Sequence, residues 1–178
     1  MRNRNVTMIT QGAIIAALYV VLTMVANAMG LANYAIQVRF SEALCVLPFF
    51  TIAAIPGLTV GCLISNMLTG AMVWDVLFGS LATFLGAVGT YLLRKHKVLM
   101  LFPPVIANAV IVPFVLRYGY GITWMFHEVE WSIPYFAFTV GVGEIISVCG
   151  LGSVLLKALL PYKNVIFKNN KICSILLF

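Results

Sequence analysis

The chain has 178 residues, 62% of them hydrophobic and 9% charged, with a formal net charge of +6. A soluble domain is about half apolar, so this composition excludes a soluble enzyme and predicts one integral membrane domain over residues 1–178. The positive surplus does not indicate nucleic acid, because the basic residues flank apolar runs in the manner of cytoplasmic loops.

In chain order, the apolar runs predict an all-α membrane protein of six transmembrane helices, at 8–28, 40–54, 57–72, 74–93, 98–117 and 132–160. A full span takes about 20 apolar residues. The second and third helices are short by that measure, and the turn signal Ala54-Ile55-Pro56-Gly57 divides them. Two short, tilted spans are preferred here to one re-entrant hairpin. With Arg2 and Arg4 placed inside, the Arg94-Lys95-His96-Lys97 cluster and Lys157, Lys163, Lys168 and Lys171 also fall inside, while Glu128 and Glu130 fall outside. The expectation is therefore a multi-pass protein of the cell membrane with both termini cytoplasmic. Arg2, Arg4 and the small residues Ala26-Asn27-Ala28 imitate a signal peptide, but the run from Val6 to Met29 is long for a signal core and reads as an uncleaved helix. The Ile172–Phe178 segment is too short to span and is expected to lie along the inner surface.

Catalytic patterns are absent. Cys45, Cys62, Cys149 and Cys173 form no C-x-x-C pair, and His96 and His127 lack helical ligand spacing. A metal site from His127, Glu128 and Glu130 is the one arrangement to weigh. There is no P-loop, and no serine has an evident histidine base. The chain is expected to be neither an enzyme nor a cofactor carrier.

The polar residues inside the apolar runs carry the functional reading. Glu144 lies near the middle of the last run, and an ionisable group at bilayer depth marks a function unless it merely pins two helices together. At 1.5 Å per residue it lies about 18 Å from the outer end of its helix, and Asn108 reaches much the same level from the inner side. Glu42, Asn66, Asp75 and Asn27 fall in the outer halves of their helices, and the inner halves hold no acidic residue. Together they predict a pocket that opens outward, not a continuous pore. Each also has a plainer role: Asn66 and Asn108 as interhelical bonds, Glu42 as a partner of Arg39 or a cap after Ser41, Asp75 as a cap or a contact to the 118–131 loop. Trp74, Trp124, Trp131 and Tyr135 lie on the outer side, as a stacking lid or as interface anchors. On the first helix, Gly12-x-x-x-Ala16 and Ala13-x-x-x-Ala17 place small residues one turn apart, a pattern for close helix approach or for docking a membrane partner.

The run Gln37-Val-Arg-Phe-Ser-Glu-Ala-Leu-Cys-Val-Leu-Pro-Phe-Phe50, with Ala53-Ala-Ile-Pro-Gly57 and Gly61-Cys-Leu-Ile-Ser-Asn66, resembles the QueT family. Asp75, the Pro-Pro-Val-Ile-Ala-Asn108 segment and Gly141-Val-Gly-Glu144 extend the resemblance over nearly the whole chain, apart from the 118–131 loop and the tail. It implies the substrate-binding S component of an energy-coupling factor (ECF) importer, taking up the queuosine precursors queuine or 7-aminomethyl-7-deazaguanine. It further implies a membrane coupling subunit docked on Gly12, Ala13, Ala16 and Ala17, and two separate ATPase subunits that hydrolyse ATP. For such a ligand, Glu144 would accept two hydrogen bonds from the guanine-like edge, Asn108 would meet the ring carbonyl, and Glu42 or Asp75 would meet the amine. Arg39 would orient Glu42, Asn66 would belong to the pocket, and Trp131 and Tyr135 would close over the base as a stacking lid. An S component for another small vitamin or heterocycle, or an autonomous channel or structural subunit, remains the alternative.

Overall fold

The computed structural model describes residues 4–30, 38–126 and 129–166. Helix α1 (Arg4–Ala28) is followed by a 3-10 helix (Phe40–Phe49), α2 (Ala54–Leu68), α3 (Val73–Leu92) and α4 (Phe102–Phe114). A 3-10 turn (Leu99–Leu101) leads into α4, and a π turn (Val115–Gly119) leads out of it. Helix α5 (Ser132–Glu144) passes through a π segment (Ile145–Leu151) into α6 (Gly152–Leu159), and α7 (Lys163–Ile166) ends the described chain.

Four of these helical stretches are long and apolar enough to cross a membrane: Asn5–Ala28, Val73–Leu92, Leu99–Gly119 and Ser132–Leu159. They match the predicted first, fourth, fifth and sixth spans closely. The other two differ from expectation. The predicted helix at 40–54 is a 3-10 helix of ten residues, all but Phe40 buried. At about 2.0 Å per residue it extends about 20 Å, short of the roughly 30 Å hydrocarbon core. Pro48 lies inside it and withholds one donor from any α-helical ladder. The predicted turn at 54–57 is in fact the first turn of α2, and the chain bends over residues 50–53 instead. Pro56 occupies the third helical position, where its missing N–H would have had no partner.

The 118–131 connection is not wholly irregular. Met125–Phe126 pairs antiparallel with Val129–Glu130, the one strand pair among the described residues. The metal arrangement weighed for His127, Glu128 and Glu130 and the surface placement of Ile172–Phe178 fall wholly or partly outside the described residues. Among those described, no group of three or more metal-ligating side chains converges.

Small residues set how closely the helices approach. A Cβ on Gly57 would stand 2.7 Å from the Gly12 carbonyl oxygen, and one on Gly61 would stand 2.8 Å from the Tyr19 Cβ. These contacts put residue 12 beside 57 and residue 19 beside 61, so α1 and α2 run in the same direction. The 3-10 helix runs the other way between them: Ser41 meets Thr23 near one end of α1, and Thr51 meets Gln11 near the other. A buried core of Ile15, Leu58, Met100, Leu101, Val105 and Leu156 fills one end of the bundle. The opposite end carries the polar residues.

Candidate functional site

At that opposite end the side chains lie in levels one helical turn apart. A polar cavity of about 320 Å³ is lined by Thr23, Ala26 and Asn27 of α1, by Asn66 and Thr69 of α2, and by Val112 of α4. Arg39, Asp75, Leu116, Tyr120 and Ile122 complete its wall. This volume falls within the range of about 300–1,000 Å³ typical of small-ligand sites. Four residues deeper on each of three helices, on the same faces, lie Tyr19, Cys62 and Asn108, all buried. The next turn is apolar, with Ile15, Leu58 and Val105. The cavity therefore stands on a polar layer, and that layer on a hydrophobic plug.

Glu42 and Glu144 belong to the polar layer, at 1% and 6% exposure. Glu42 projects from the buried 3-10 helix and is fully engaged: the Tyr19 hydroxyl donates to its Oε1 and the Cys45 thiol to its Oε2 at 3.1 Å. Neither expected role for Glu42 is realised among the described residues, since it makes no ion pair with Arg39 and no helix cap. Thr23 donates to Ser41 at 2.9 Å and anchors the start of the same 3-10 helix.

Glu144 and Asn108 are in the opposite condition. Glu144 is the last residue of α5 before the π segment, and Asn108 sits in the middle of α4. The two are electrostatic neighbours, with Glu42 and Arg39 also in reach of Glu144. Glu144 Oε2 and Asn108 Nδ2 are nonetheless buried without a hydrogen-bond partner among the described residues. A buried polar atom left unpaired costs about 1–3 kcal/mol, so an acceptor and a donor left open side by side favour a ligand that supplies the complement.

Asp75 and Asn66 are brought together near the rim. Asn66 Nδ2 donates to the Asp75 carbonyl at 3.3 Å, and the Tyr120 hydroxyl donates to Asp75 Oδ2 at 3.2 Å. The same hydroxyl accepts from the Met72 N–H at 3.1 Å. Burial pushes the Tyr120 phenol above its ordinary value, so it stays protonated and able to donate at neutral pH. Gly79 leaves room for this arrangement, because a Cβ there would stand 3.1 Å from Asn66 Nδ2 and 3.3 Å from Asp75 Oδ1. The end of α2 is shaped to match: Gly70, with φ of 72°, lets Ala71 N–H reach the Asn66 carbonyl at 3.0 Å in a Schellman turn.

Trp131 and Tyr135 do not line this cavity. Tyr135 stacks on Trp124 with ring centroids 4.5 Å apart, and the half-exposed Trp131 donates its N–H to the Trp124 carbonyl. Ser132 accepts from the Trp124 N–H at 2.8 Å, so these aromatics brace the base of the hairpin. Arg117 ties the end of α4 to the hairpin through a two-pronged contact with Glu130, whose carboxyl is held below its ordinary range chiefly by that bond. Trp74 faces an apolar groove between α3 and α4 instead.

Sequence reading missed Tyr19, Thr23, Cys45, Cys62 and Tyr120. For Tyr19 and Thr23 a signal existed, since two hydroxyls four residues apart in an apolar helix share one face. For the cysteines and Tyr120 there was none.

A second concavity lies between α1 and α2, about 520 Å³ in volume and almost wholly apolar, lined by Met8, Ile9, Gly12, Ala13, Ala16 and Val60 among others. The four small residues singled out on α1 divide here. Ala13 and Ala17 are exposed, whereas Ala16 is buried against Gly61 and Gly12 is half-buried over the Ala53 carbonyl.

Over 86 residues the chain is 44% identical to the protein named Queuosine precursor transporter QueT of Lactococcus lactis subsp. cremoris (strain MG1363). That alignment takes in 48% of this chain and 50% of the relative, so the match spans about half the relative's length. No solved structure matches the chain. The family model described as QueT transporter, a family of transporters and not of enzymes, matches residues 9–161, a stretch that holds the whole lining of the cavity, its polar floor and all of the α1–α2 groove except Met8. The chain belongs to the QueT transporter family.

Proposed function

We propose that this chain is the substrate-binding subunit of an ECF-type importer that takes up a queuosine precursor with a 7-deazaguanine ring. It sits as a single domain in the cell membrane, with the two short helices completing six crossings and both termini cytoplasmic. The observation that carries the ligand reading is the open pair on the polar floor, Glu144 Oε2 and Asn108 Nδ2, both buried and unpartnered among the described residues. A guanine-like edge presents a carbonyl acceptor next to a ring N–H donor. Asn108 Nδ2 donates to the carbonyl and Glu144 Oε2 accepts from the ring N–H, a charge-assisted bond in a site away from water. The name of the Lactococcus lactis relative, a queuosine precursor transporter, supports the same ligand class.

Transport by this chain alone is disfavoured by the apolar layer of Ile15, Leu58 and Val105 beneath the site, which closes the route to the other face. Energy then comes from partners: a membrane coupling subunit that docks on the exposed Ala13 and Ala17 face of α1, and two ATPase subunits. Calorimetric titration of the purified chain with queuine and with 7-aminomethyl-7-deazaguanine tests the ligand reading. Glu144→Gln keeps the shape but removes the charge, and at least tenfold weaker binding is expected with folding intact. Unchanged affinity would remove Glu144 from the site.

A further inference from the structure

We propose that Asp75, held at the cavity wall by Tyr120, is the counter-ion for an ammonium group on the ligand, so that the site selects cationic 7-substituted deazaguanines over neutral ones. This rests on the deazaguanine reading above and adds to it a second point of recognition.

Three of the chain's five acidic residues, Glu42, Asp75 and Glu144, gather around this one site. They differ in what they can still accept. Glu42 has both oxygens occupied by Tyr19 and Cys45 and does not border the cavity. Glu144 lies on the floor, where its open oxygen faces the ring-recognition role together with Asn108. Asp75 alone of the three lines the cavity. Its Oδ2 accepts from Tyr120, and among the described residues no donor reaches its Oδ1.

The charge balance points the same way. Arg39 is the cation that shares the cavity wall, and it lies within electrostatic reach of Asp75 and Glu42. It makes no ion pair within 4.0 Å with any carboxylate among the described residues. Arg39 thus stands near Asp75 and Glu42 without a direct ion pair to either, and a buried charge needs a partner to be tolerated. An ammonium group on the ligand restores part of that balance when it meets Asp75. The spacing along the helices fits a ligand with a polar ring edge and a charged arm. Asn108 lies one turn below Val112 of the cavity wall, and Asp75 belongs to the wall itself, so ring and arm are met at different levels.

The experiment compares 7-aminomethyl-7-deazaguanine with 7-cyano-7-deazaguanine, whose nitrile is neutral, by calorimetry on the full-length chain. The unaltered protein is expected to bind the amine at least tenfold more tightly than the nitrile. Asp75→Asn is expected to cut that preference at least tenfold, and Tyr120→Phe, which frees the carboxylate without removing it, about threefold. Because the preference is a ratio within one preparation, a partly unfolded variant lowers both affinities and leaves the ratio readable. Equal binding of amine and nitrile by the unaltered chain, or an unchanged preference in both variants, overturns the counter-ion role while leaving the ring reading intact. Failure of the unaltered chain to bind either compound overturns the ring reading, and the counter-ion role with it.

Discussion

The two concavities flanking α1 share walls from α1 and α2 and are chemically opposite. Toward one end, the cavity stands on Tyr19, Cys62, Asn108, Glu42 and Glu144, where Tyr19 and Cys45 hold Glu42 while Glu144 Oε2 and Asn108 Nδ2 have no hydrogen-bond partner among the described residues. Toward the other end, the groove of Met8, Ile9, Ala13 and Val60 offers close-packed small and apolar side chains with scarcely a polar atom. A polar site can specify a small ligand through a few directed bonds, because leaving any of them unmade costs free energy. An apolar groove within a membrane has no hydrophobic driving force against lipid, so it gains only from close packing with another helix. On the function proposed above, the difference separates recognition from docking along the length of a single helix.

The separation predicts that each region can be damaged without the other. The largest effect is expected from bulky residues on the exposed face, Ala13→Trp with Ala17→Trp. Uptake into cells should be abolished while the purified chain binds ligand within twofold of the unaltered protein; retained uptake would dismiss the docking role. Tyr19 is where the regions touch, since its Cβ packs on Gly61 and its hydroxyl holds Glu42. Tyr19→Phe keeps the packing and leaves Glu42 Oε1 short of a donor, for a loss of about 1–3 kcal/mol in stability. Thermal unfolding in detergent reads that loss, and an unchanged midpoint would mean that water or a neighbour replaces the hydroxyl. The smallest effect belongs to the hairpin. Glu130 is bound to Arg117 and its carboxyl is depressed, so the pair's contribution is present above the ordinary carboxylate range and disappears as pH falls through the lowered value. Amide exchange in residues 122–126 should quicken at acid pH, and Glu130→Gln should abolish that pH dependence while changing ligand affinity less than twofold. An exchange rate indifferent to both would show that Trp124, Tyr135 and Ser132 hold the hairpin by themselves.

Much of the bundle was legible because apolar length is a local property. The predicted spans at 8–28, 74–93 and 132–160 agree with Arg4–Ala28, Val73–Leu92 and the run from Ser132 to Leu159 within a few residues. The second helix was expected at 40–54 and is a shorter 3-10 helix at Phe40–Phe49, because an apolar run that is wholly buried and one that faces lipid look alike in sequence. Pro56 was misread as a divider because a proline in the first turn and a proline in a loop carry the same local signature. Glu144 and Asn108 were read as polar residues at matching depth, and in the structure the two side chains are neighbours. The roles of Glu42 and Asp75 were left open in sequence because both are carboxylates toward the same end. Trp131 and Tyr135 were placed by side of the membrane alone, which does not say whether an aromatic faces a cavity or its own hairpin.

By itself, the sequence determined that this is a helical membrane protein with a few costly polar residues toward one end, since composition and spacing fix burial in lipid and the level of each group along its helix. Only the tertiary structure decided which of those groups are still free to bind. That depends on partners from distant segments: Tyr19 and Cys45 occupy Glu42, and Tyr120 holds Asp75 from 45 residues away. Nothing donates to Glu144 Oε2 among the described residues. Hydrogen bonds saturate one atom at a time over about 3 Å, and that information exists only once the helices have packed.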